Sequence, residues 1–136
     1  MPSIRILAAL VLAAPLVAFA APPADGGCGS QAKVPQAQRV KNTANWTTAS
    51  EEENFGYDVY RGASEKGPFV KLTKTPILGH GTTPETHSYS FADDDIDPCK
   101  DYWYYVESIG TDGTREKFTP VFHAPAKRHA TPAKKP

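Results

Sequence analysis

The chain has 136 residues, with 15 Lys and Arg against 15 Asp and Glu, and 40% of them are hydrophobic. That is room for about one small domain. The balanced charge is unevenly spread: Lys127, Arg128, Lys134 and Lys135 crowd the last ten residues, while residues 21–126 hold 10 basic and 15 acidic side chains. An acidic body is a poor match for nucleic acid, whose phosphates require a basic face.

The first twenty residues carry one charge, Arg5, then an apolar run from Ile6 to Ala20 that ends in Ala18-Phe19-Ala20. This has the form of a secretory signal peptide, and it is too short and too clearly terminated for a membrane-spanning helix. The expected location is therefore secreted, periplasmic or extracellular, with no transmembrane segment once residues 1–20 are removed. Residues 21–37 are rich in Ala, Pro, Gly and Gln and read as an extended lead-in with at most a short first strand. Two cysteines in an exported chain suggest a Cys28–Cys99 disulfide; free or intermolecular thiols are the alternative.

From Arg39 onward, short period-two segments alternate with turn residues, and no helical period persists. Residues 40–47 read as a weak strand, with Asn42 interrupting its apolar face. The run Glu51-Glu52-Glu53 reads as a polar loop, either structural or binding, before a clear strand beginning at Tyr57. A turn at 65–68, a short strand at 69–74 and a long Gly- and Pro-containing connection follow. Residues 86–91 alternate, with His87, Tyr89 and Phe91 on one face. Residues 92–100 read as a polar loop, and Asp101 to Gly110 as the strongest strand. A last strand over 115–124 contains Pro120, which argues for a sheet edge. Residues 127–136 read as a basic disordered tail. Strands at this spacing indicate an all-β sandwich.

Three stretches, "WTTASEEENFGYDVYR", "SYSFADDDID" and "DYWYYVESIGTDG", resemble a bacterial secreted fibronectin type III domain over about residues 38–126. The resemblance implies an immunoglobulin-like β-sandwich of about seven strands. It puts Trp46 in the place of a buried tryptophan and Tyr102 in that of the corner tyrosine. It also puts Cys99 at the pole opposite the normal N-terminus, so that a regular first strand would take Cys28 away from it. A Cys28–Cys99 bond would then require residues 28–38 to take an irregular path.

Few residues suggest chemistry. Serine-nucleophile, CxxC and Gly-rich phosphate motifs are absent. Asp93, Asp94, Asp95 and Asp97 lack the EF-hand pattern, and His80, His87, His123 and His129 lack metal-ligand spacing. The carboxylates read as solvated. No catalytic residue, cofactor or metal is therefore expected. In the resembled topology Tyr60, Trp103 and Tyr105 share the outer face of one sheet and offer an aromatic surface for sugar stacking or a protein anchor. The sequence thus reads as a non-catalytic module that binds a protein or an envelope polysaccharide. The alternative is a structural spacer or accessory subunit without its own ligand.

Overall fold

A computed structural model describes residues 27–130. The expected signal peptide, residues 21–26 of the lead-in and residues 131–136 of the tail lie outside the described residues. The strands are β1 (Asn42–Thr48), β2 (Glu51–Gly62), β3 (Phe69–Lys71), β4 (Ile77–Thr83), β5 (His87–Asp93), β6 (Tyr102–Gly110), β7 (Arg115–Lys117) and β8 (Phe122–Ala124). β1 and β5 form one antiparallel sheet. In the other, β2 pairs with β6, β3 and β4 share the far side of β2, and β7 and β8 share the far side of β6. This all-β, two-sheet arrangement is consistent with the expected sandwich. No helix among the described residues is long and apolar enough to cross a membrane.

Period-two alternation produces the core. Ala44 and Trp46 of β1, Tyr57 and Val59 of β2, Tyr89 of β5, and Tyr104 and Val106 of β6 meet between the sheets. Trp46 stacks on Tyr89 at 5.5 Å and meets the edge of Tyr57 at 5.4 Å. The Tyr102 hydroxyl accepts a hydrogen bond from the backbone N–H of Asp97 at 2.9 Å, which ties the strand start to the preceding loop.

Three expectations change. First, the acidic run is not a loop. β2 starts at Glu51, and only Ala49 and Ser50 separate it from β1. Its pairing shifts register between Glu51 and Gly56, and Glu53 has φ 45°, so no alternation marks it as a strand. Second, the connection after β3 contains β4, a strand interrupted by Gly79 and Gly81. Gly56 allows that pairing, because a Cβ there would sit 2.5 Å from the Ile77 carbonyl oxygen. Third, the last strand is split. Pro120 cannot continue the ladder, and across the break Val106 donates its N–H to Thr119 Oγ1 at 2.9 Å and accepts one from the Phe118 N–H at 2.8 Å.

The Cys28–Cys99 disulfide is present, with Cα atoms 5.3 Å apart. As the bond required, the described lead-in forms no strand and has only a 3-10 turn at Gln36–Gln38. Buried Gln31 fixes its path: Nε2 donates to the carbonyls of Val40 (2.8 Å) and Ile96 (3.0 Å), and Oε1 accepts from the Val40 N–H.

Candidate functional site

The expected site residues fall in two places along β6. Tyr60, Trp103 and Tyr105 share the outer face of the larger sheet toward the start of β6. Glu51, Glu52 and Glu53 lie at the pole where β6 ends.

On the outer face, Tyr60 and Tyr105 are cross-strand partners. Their rings stack at 4.8 Å, only 3° from parallel. Phe69 of β3 meets the Tyr105 ring edge-on at 5.0 Å. Lys117, from β7 on the other side of β6, places its ammonium 4.9 Å from the Tyr105 centroid. Tyr105 is thus flanked by Tyr60 and by Lys117. Trp103 pairs across from Gly62 and stacks on His123 of β8 at 4.8 Å. Along this face Tyr60 and Tyr105 therefore stack on each other, while Trp103 stacks on His123.

A charged cluster continues the stripe. Asp58 is fully buried, although it points away from the core. Thr73 donates a hydroxyl to it, and Arg115 Nη1 lies 2.8 Å from Asp58 Oδ2 and 2.7 Å from Glu107 Oε1. Glu107 also accepts the Tyr60 hydroxyl proton at 3.1 Å. Burial opposes the Asp58 charge, but the Arg115 and Thr73 hydrogen bonds overcome it and keep the carboxyl below its ordinary range.

Glu51 corrects the expectation of a solvated acidic run. It is 7% exposed and points into the end of the sandwich. The hydroxyls of Thr48, Tyr57 and Tyr89 donate to Oε1, and the His80 N–H donates to Oε2 at 2.7 Å. With the Tyr89 proton committed to Glu51, the 2.7 Å contact from His80 Nδ1 to Tyr89 assigns an Nδ1–H donor. His80 stacks on His87 at 3.6 Å. Burial raises the Glu51 pKa, but the donors outweigh it and lower it from 4.5 to about 2. Burial, together with the hydrogen bond to Glu51 and its charge, raises the pKa of Tyr89.

The folded carboxyl therefore titrates below the unfolded one, so its stabilisation is complete above about pH 4.5 and disappears as pH falls toward 2. Glu51→Gln should cost about 1.5–3 kcal/mol at pH 7, the range for hydrogen bonds to a charged group. In urea titrations the gap to the parent should close as pH drops from 5 to 2. A pH-independent gap would show that the charge contributes nothing.

Glu51 also lines a cavity of about 320 Å³ at this pole. Glu52 and Glu53 line it too, joined by Asn54, Asp112, Glu116 and Phe118, which the sequence did not single out. Their position becomes legible only once the β6–β7 turn is seen to lie beside the start of β2: Thr111 N–H donates to the Glu53 carbonyl at 2.8 Å. Among the described residues, no group of three or more His, Cys, Asp or Glu side chains could hold a metal ion.

No protein-family model matches the chain, and neither does any solved structure. Among curated proteins, an amylopullulanase of Thermoanaerobacter thermohydrosulfuricus is 28% identical over 82 residues, which is 60% of this chain. The similarity spans only 5% of that enzyme's length, so what this chain is similar to is one small segment of a much larger protein.

Proposed function

We propose that this chain is a secreted, non-catalytic accessory module that binds an envelope polysaccharide or protein through the outer face of its larger sheet. The observation that carries the reading is the half-buried row of Phe69, Tyr60, Tyr105 and Trp103 on that face, edged by Arg115, Glu107 and Lys117. Hydroxyls, carboxylates and cations beside aromatic rings suit hydroxyl-rich or mixed polar ligands. The similarity to a segment of a polysaccharide-degrading enzyme supports the polysaccharide arm. The disulfide fits an oxidising compartment. A second reading, a spacer without a ligand, draws support from Tyr105, which is already flanked by Tyr60 and Lys117.

The test is retention of residues 21–136 on immobilised α-glucan, peptidoglycan and envelope protein extract. Trp103→Ser with Tyr105→Ser should abolish retention while leaving the far-UV spectrum intact. Equal retention of both proteins would remove the outer face from the site. Retention of neither would favour the spacer.

A further inference from the structure

The outer face of the larger sheet carries a charge opposite to that of the body it belongs to. Strand register puts Lys71 of β3, Asp58 of β2, Glu107 of β6, and Arg115 and Lys117 of β7 on that face. Cations outnumber acids there, whereas residues 21–126 hold 10 basic and 15 acidic side chains. The two acids are already engaged. Asp58 is fully buried; its Oδ1 accepts the Thr73 hydroxyl proton, and its Oδ2 lies 2.8 Å from Arg115 Nη1. Glu107 Oε1 accepts from the Tyr60 hydroxyl and from Arg115. The two lysines keep their donors free. Lys71 Nζ is 3.8 Å from Asp58 Oδ2, too long for a hydrogen bond, and its side chain is 44% exposed. Lys117 is exposed and pairs with no carboxylate among the described residues. Between the two ammonium groups stand Tyr60, the cross-strand partner of Lys71, and Tyr105, the ring beneath Lys117. The row reads cation, ring, ring, cation, and spans about 14 Å from β3 to β7.

We propose that this row binds a carboxylate-bearing polysaccharide, a chain of uronic acid sugars, in preference to a neutral glucan. The inference rests on the outer face being the binding face and names the class of ligand it takes. Each free ammonium can donate to a carboxylate, a charge-assisted contact stronger than a neutral hydrogen bond. The tyrosines between them supply apolar ring surface for the sugar bodies. An acidic peptide would offer carboxylates without those rings, so the aromatic pair favours the polysaccharide. Asp58 has a positioning part in this. It holds Arg115 on the face, and because it is fully buried it turns no free carboxylate oxygen toward an anionic ligand. The contacts are exposed, so salt should weaken them.

The test is affinity electrophoresis of residues 21–136, which contain every described residue, through gels loaded with polygalacturonate, pullulan or poly-glutamate. Polygalacturonate should retard the protein at low salt and lose that effect by about 0.5 M, where the screening length falls to a few ångströms. Pullulan and poly-glutamate should retard it far less. Lys71→Gln with Lys117→Gln, both exposed positions, should abolish the retardation and leave the melting temperature unchanged. Lys127→Gln, Lys134→Gln and Lys135→Gln together should leave the retardation in place, which separates the face from the charge of the tail. Retardation by pullulan alone, lost in Trp103→Ser with Tyr105→Ser, would keep the outer face as the site and overturn the uronate inference. No retardation by any of the three would overturn it as well. So would retardation that survives the loss of Lys71 and Lys117, disappears with the tail substitutions, or is matched by poly-glutamate.

Discussion

Replacing both Cys28 and Cys99 with serine is expected to cost about 4 kcal/mol, the entropic value for a loop closed across their sequence separation of 71. A domain of this size is typically stable by only 5–15 kcal/mol, so the midpoint of urea unfolding should fall sharply, and its slope should rise because the uncross-linked unfolded chain exposes more surface. The position of the bond adds to the loss. It anchors a lead-in with no strand of its own, held otherwise by the Gln31 hydrogen bonds and by the Gly29 N–H on Asp97 Oδ1 at 2.9 Å. The variant should therefore also show early proteolysis between Gly27 and Arg39, ahead of global unfolding. A loss below about 1 kcal/mol would mean that the Gln31 contacts alone hold the lead-in in place.

Asp93→Ala should be about as damaging, at about 3–5 kcal/mol, because it removes one half of a buried ion pair. Asp93 is 5% exposed and sits at the end of β5. Arg61 of β2 reaches both of its oxygens, at 3.0 and 2.9 Å, and donates to the Asp95 carbonyl at 2.7 Å. The Tyr104 hydroxyl donates to Asp93 Oδ2 at 2.7 Å and accepts from Asn42 Nδ2 at 3.0 Å. Losing the carboxylate strands the guanidinium and the phenol together. Changing Arg61 to Met alongside Asp93→Leu should recover most of the loss, since no unpaired charge then remains. A double-mutant cycle by urea denaturation separates these terms. An Asp93→Ala cost under about 1 kcal/mol would show that water replaces the pair.

Much of the fold was legible because alternation marks strands that are buried on one face. β6 is the clearest case: Tyr104 and Val106 face the core while Trp103 and Tyr105 face out, as the spacing required. Trp46 was readable for the same reason. Asn42 looked like a defect in its strand. In the structure it donates to Tyr104 as part of the Asp93 network, a long-range pairing that no local pattern carries. β4 and the start of β2 were missed together. Each is a strand because of the other, and both are irregular: glycines on one side and a register shift on the other. The three buried carboxylates, Glu51, Asp58 and Asp93, were taken for solvated because their partners lie 3 to 57 residues away. Of the candidate site, the shared face of Tyr60, Trp103 and Tyr105 could be read from period two. The contacts from Phe69, Lys117 and His123 could not, because they depend on how β3, β7 and β8 border the sheet.

The buried carboxylates also bear on how the two layers find each other. Glu51 enters from the larger sheet at one end and is met there by Thr48 and Tyr89 of the smaller sheet. Asp93 enters from the smaller sheet at the other end and is met by Arg61 and Tyr104 of the larger. Aromatic and aliphatic side chains would tolerate a slide of one layer over the other by a pleat, since their attraction has little direction. Two charges of opposite sheet origin would not, because any such slide would pull both away from their donors at once. They act like a pair of dowels, fixing one alignment among the several that an oily interface alone would leave nearly equal in energy.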